Sequence, residues 1–151
     1  MDILRRNTDY ALRLMVALAS QYPSQPISAR ALAKETVVPY QLACKLLQRL
    51  QKTDLVQSTM GPKGGFTLTK TPDKINLWNI IDVIQGPINM NKCLLGDFKC
   101  QHRANCTIHG KLAELQQHIQ TSLTATTLDE LLANRSIKTK HLKKHLREGK
   151  K

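Results

Sequence analysis

Three of the chain's four cysteines fall between Cys93 and Cys106, with six and then five residues between successive thiols, and His109 follows the last after two more. Thiols so spaced can close a disulfide, hold a metal or react as redox groups. A disulfide would leave one of the three unpaired. Structural zinc takes four Cys or His ligands, usually in paired short spacings such as Cys-x-x-Cys, and no such pair is present. Three thiolates from an irregular loop fit an iron–sulfur cluster better, because its irons accept cysteine and tolerate one other ligand. Structural zinc and metal-free redox thiols are the other readings. Gly96, Asp97, Lys99, Gln101 and Arg103 surround the cysteines. That composition is too polar to order itself, and a bound metal would supply the missing constraint. No acid–His–Cys arrangement marks a nucleophilic enzyme, so none is expected.

The elements that must position this loop read as helical. Aromatic residues make up only 4% of the chain, so a core of Leu, Ile, Val and Ala is expected. Within residues 1–20, Tyr10, Leu14, Ala17 and Leu18 recur at helical spacing, and Leu12, Met15, Val16 and Ala19 widen the stripe until most of the helix must be buried. Asp9 lies in its first turn, where the helix dipole favours a carboxylate. Pro23 and Pro26 end it. Ser28 is placed to cap a short helix over Ala29–Glu35, and Thr36-Val37-Val38-Pro39 has the composition of a turn.

From Pro39 a third helix runs to about Thr53. Leu42, Ala43, Leu46, Leu47 and Leu50 form one side of it; Gln41, Lys45, Gln48, Arg49 and Lys52 form the other. A solvated helix face normally mixes charge signs, and this one carries no acid, as befits a helix lying in the DNA major groove. Cys44 sits at the border and reads as a small half-buried filler. Residues 55–60 and 66–69 are rich in β-branched side chains and flank Gly61-Pro62-Lys63-Gly64-Gly65, which predicts a β-hairpin with a slim basic tip. No Gly-Lys-Ser/Thr ending follows, so a nucleotide-cradling loop is not expected. Three helices and then a hairpin is the order of a winged helix-turn-helix. In that arrangement Gln41, Lys45, Gln48, Arg49 and Lys52 read the groove, while Lys63, Gly64 and Arg5 are candidate contacts to the backbone.

Downstream, Asn76 can cap a nearly all-apolar helix over Leu77–Gln85 that Gly86-Pro87 stops, with Trp78 as a core anchor. Beyond the cysteines, Ile108, Leu112, Leu115, Ile119 and Leu123 form a narrow apolar seam on a helix from about Thr107 to Ser122, suited to packing against another helix. Thr127-Leu128-Asp129-Glu130 is a capping-box pattern opening a last short helix.

The net charge of +12 points to a polyanionic partner. Lys and Arg number 10 against 4 acids in residues 1–70, 5 against 6 in 71–134, and 8 against 1 in 135–151. The basic excess therefore lies in the groove-reading module and in a tail expected to be mobile, while the cysteine-bearing middle is near neutral. No signal peptide opens the chain and no run reaches the ~18 apolar residues of a membrane span. A cytosolic location without membrane contact is expected, where clustered cysteines serve metals or redox more often than disulfides.

Thr8-Asp9-Tyr10-Ala11-Leu12-Arg13, Leu46-Leu47-Gln48-Arg49-Leu50 and Gly61-Pro62-Lys63-Gly64-Gly65-Phe66, together with the cysteine triplet, resemble the Rrf family of bacterial winged-helix regulators, the IscR, NsrR and RirA group. The resemblance covers residues 1 to about 133. It implies a mainly α fold with a small hairpin wing, in a homodimer that binds double-stranded operator DNA, most simply as a repressor. It also implies a [2Fe-2S] or [4Fe-4S] cluster on Cys93, Cys100 and Cys106 in each protomer. The fourth ligand is then either His109, spaced as in the first of these groups, or Asp9 of the partner subunit, as in the second; His102 is a weaker candidate. The organisation expected is a winged-helix domain with its supporting helix over 1–86, a cysteine loop over 87–106, a dimerisation helix and short final helix over 107–134, and the basic tail over 135–151.

Overall fold

The computed structural model describes residues 3–94, 100–102 and 105–134. The basic tail lies outside them. Helix α1 spans Arg6–Ser20, α2 Ala29–Thr36 and α3 Tyr40–Gln51. Strands β1 (Val56–Thr59) and β2 (Gly65–Leu68) pair antiparallel, with Val56 opposite Leu68 and Thr59 opposite Gly65. A single 3-10 turn, Pro72–Lys74, leads into α4 (Leu77–Gln85), a second covers Lys92–Leu94, and α5 runs His109–Ala125. A helical stretch over 128–134, here α6, completes the described chain. The mainly α fold with a hairpin wing is therefore as the pattern predicts.

Local chemistry explains most boundaries. The Ser28 hydroxyl accepts from the Ala31 backbone N–H at 3.2 Å, satisfying one of the donors a helix start leaves open. Asn76 and Asn79 cap α4 reciprocally, each side chain accepting from the other's backbone N–H. Helix α5 starts two residues later and ends three residues later than the seam predicts. Val37 ends α2 in a left-handed conformation, φ 55°, with its side chain 80% exposed. A β-branched residue pays heavily there.

The core lies among α1, α2, α3 and α4. Leu14, Met15, Leu32, Leu47, Leu50, Ile75 and Ile80 are fully buried, and Val56 and Leu68 of the wing close one end. A doubly bonded pair, Ile27 and Phe66, joins the wing to the segment before α2. A Cβ at Gly65 would run into the Ile27 backbone, so glycine permits this approach. At the other end the chain returns to the same core. Leu77 N–H donates to the Thr126 carbonyl at 3.0 Å, Leu128 N–H to the Ile75 carbonyl at 2.9 Å, and Leu128 is fully buried.

Helix α5 has no buried residue. Leu112, Ile119 and Leu123 are half-buried, while Leu115 and Ile108 are 40% and 62% exposed. Gln116 holds it to the body, accepting from Met90 N–H at 2.9 Å and donating to the Ile88 carbonyl. The seam is thus largely uncovered within one protomer.

Candidate nucleic-acid interface and metal centre

Burying Ala43, Leu46, Leu47 and Leu50 turns the other side of α3 outward. Gln41, Lys45, Gln48, Arg49 and Lys52 are all exposed there. Gln51 Nε2 donates to the Ser58 hydroxyl at 2.9 Å and links α3 to β1. Arg49 differs from its neighbours: its Nη1 donates to the Ile84 carbonyl at 3.1 Å, on the last turn of α4. Two side chains beside this face escaped the sequence pattern. Tyr40 opens α3, is half-exposed, and lies under the Arg30 guanidinium at 5.4 Å. The signal available was a residue directly after Pro39 at a helix start, where a groove-reading helix makes its base contacts.

The wing tip is shaped by its glycines. Gly61 has φ +113°, and Gly64 N–H donates to the Gly61 carbonyl at 2.9 Å. A Cβ on Gly64 would overlap the carbonyl oxygen of Thr59 and sit 2.9 Å from that of Gly61. Lys63 is exposed between them, and Met60 is 97% exposed. Arg5 is exposed and serves as the N-cap of α1 without a side-chain cap of its own.

Cys93 lies in the 3-10 turn after α4, and Cys93, Cys100 and Cys106 are half-buried free thiols. Cys44 is also free and half-buried, on α3. His109 is the first residue of α5, half-buried, and His102 is exposed. Asp9 pairs with Arg13 at 2.7 Å, both side chains about half exposed. Among the described residues of one protomer, no three His, Cys, Asp or Glu side chains gather at metal-holding spacing. The donor set still suits an iron–sulfur cluster in kind: three thiols, none tied in a disulfide and each accessible, with a carboxylate and an imidazole in the chain as further donors.

The Rrf2 model, described as an iron-dependent transcriptional regulator, matches residues 4–134. The chain belongs to the Rrf2 family. It is therefore a DNA-binding transcriptional regulator with a winged-helix fold. The repressor NsrR of Streptomyces coelicolor is 30% identical over 131 residues, spanning 86% of this chain and 88% of its own length. The regulator IscR of Pectobacterium atrosepticum is 27% identical over 85% of this chain and 77% of its own. Among solved structures, CymR, the global cysteine regulator of B. subtilis, superposes with a TM-score of 0.74 at 25% identity, covering 89% of this chain and 98% of that one. No helix among the described residues is long and apolar enough to cross a membrane.

Proposed function

We propose that this Rrf2 member acts as a homodimeric repressor whose operator affinity is set by an iron–sulfur cluster on Cys93, Cys100 and Cys106. The observation that carries the reading is where the three free, accessible thiols lie. They occupy the segment between α4, to which α3 is hydrogen-bonded, and α5, whose apolar seam is largely uncovered in the protomer. A second copy packed on Ile108, Leu112, Leu115, Ile119 and Leu123 would bury that seam and set two α3 faces about 34 Å apart, one turn of DNA. Gln41, Lys45, Gln48 and Lys52 would then meet base edges, and Lys63 with the slim Gly64 turn would meet phosphate. A bound cluster supplies thiolate-held irons whose oxidation, loss or nitrosylation changes what the loop is tied to. The fourth donor is His109 of the same protomer or Asp9 of the partner subunit. For Asp9 to serve, its pairing with Arg13 must open.

A second reading is a metal-free thiol switch. It is favoured by the likeness to CymR and by the absence, among the described residues of one protomer, of three donors at metal-holding spacing. Anaerobic purification separates the two. A brown protein with visible absorption and about two or four irons per chain supports the cluster; a colourless protein with one zinc or none refutes it. His109→Ala and Asp9→Ala, assayed in turn for iron and sulfide content, identify the fourth ligand by which one loses the cluster.

A further inference from the structure

The last turn of α4 fastens two other helices at once. Arg49 Nη1, on α3, donates to the Ile84 carbonyl at 3.1 Å. One residue on, Gln85 Oε1 accepts from the Arg5 backbone N–H at 2.9 Å and from the Thr8 hydroxyl at 2.7 Å, and Gln85 Nε2 donates to the Ile3 carbonyl at 3.0 Å. Each bond meets a need. The final carbonyls of a helix and the first N–H groups of another lack partners within their own helices. Thr8 is fully buried, so its hydroxyl needs an acceptor. Gly86 stops α4 directly afterwards, and Cys93 follows seven residues later. The turn that gathers α1 and α3 is thus the one from which the cysteine segment departs.

We infer that Arg49 is a positioning residue for DNA reading, working as one clamp with Gln85. Arg49 fixes the reading helix to the end of α4, and Gln85 fixes α1 to the same end. Gln41, Lys45, Gln48 and Lys52 keep the groove, while Arg49 sets the angle at which they enter it. A shift of the cysteine segment reaches α3 through the Ile84 carbonyl. The inference rests on α3 being the reading helix, as proposed above.

The test compares wild type, Lys45→Ala, Arg49→Gln and Gln85→Ala for binding to a duplex that the wild type selects from a random pool and to an unselected duplex, across a salt series. Lys45→Ala probes the reading face by itself: it should weaken the selected duplex more than the unselected one, with amide exchange at 86–90 as in wild type. If it does not, the assignment of α3 fails, whatever Arg49 does. Arg49→Gln should weaken the selected duplex about tenfold while leaving the slope within about 0.3 of wild type and the unselected duplex unaffected. In the free protein it should also speed amide exchange at Gly86 and residues 88–90, where the turn has been released. Gln85→Ala should cause the same loss of preference with faster exchange at Thr8. Lying off the reading helix, it keeps the test decisive if Arg49→Gln folds poorly. Equal loss on both duplexes with a slope lower by about one would make Arg49 a phosphate contact and overturn the inference. Unchanged exchange at 86–90 in Arg49→Gln together with unchanged exchange at Thr8 in Gln85→Ala would overturn it as well.

Discussion

Replacing Leu128 by Ala should destabilise the DNA-binding body itself, although Leu128 lies beyond α5 in the chain. The side chain is fully buried in the cluster that holds Leu14, Leu47, Ile75 and Ile80. Its backbone is tied down by the bond to the Ile75 carbonyl at 2.9 Å and by the neighbouring Leu77–Thr126 bond at 3.0 Å. With the backbone held, the site cannot collapse freely around a truncated side chain. The loss is then the transfer term plus a cavity term, about 3 kcal/mol within the roughly 2–5 kcal/mol that such truncations cost. With a urea m-value of about 2 kcal/mol/M, the midpoint falls by about 1.5 M. The melting temperature falls by roughly 6–12 °C. The assay is urea denaturation followed by circular dichroism at several protomer concentrations. The loss should be independent of concentration, because the contact is internal to one protomer. A loss under about 1 kcal/mol would refute the placement of Leu128 in the core. A loss that grows with dilution would assign its effect to the association of copies.

The remaining predictions concern the turn, the wing, the seam and the thiols. Val37→Gly should raise stability by about 0.5–1 kcal/mol, because relief of a left-handed valine outweighs the extra chain entropy glycine carries; thermal denaturation reads it. Gly64→Ala should distort the wing tip against Thr59 and weaken DNA binding at least about tenfold by fluorescence anisotropy, while the melting temperature moves by only a few degrees, on the order of 1–3 kcal/mol of local strain. Ile119→Glu should shift the sedimentation coefficient from dimer to protomer, since a carboxylate placed in an apolar interface without a partner is strongly disfavoured. Cys93→Ala, Cys100→Ala and Cys106→Ala should each abolish iron loading, and Cys44→Ala should leave iron content as in wild type.

Much of the fold is legible because its signals are short-range. Ser28 and Asn76 sit next to the N–H groups they cap. The glycines of residues 61–65 mark a hairpin tip whose paired residues lie no more than twelve positions apart. The apolar stripe of α3 specifies its outward face by the helical period alone. Val37 is the local exception. Composition marks the turn, but the left-handed geometry there arises because Val38 N–H must reach the Ala33 carbonyl to close α2.

The cysteine triplet, the acid-free face of α3, the basic wing and the apolar seam are properties of residue type and spacing, so the sequence alone determined them, and with them the family and DNA as partner. What only the tertiary structure decided is which residues act at a distance. Arg49 shares the helical face of Lys45, and periodicity assigns both to the groove; it finds the Ile84 carbonyl because the fold brings the end of α4 beside α3, 35 residues away. Gln85 reads as the last polar residue of an apolar helix, yet it holds the start of α1 across about 80 positions. Leu128 belongs by pattern to a separate final helix, but residues 126–128 pair beside Ile75 and carry it into the winged-helix core. In each case an unpaired helix end or an apolar side chain is satisfied by a group that only chain topology makes its neighbour.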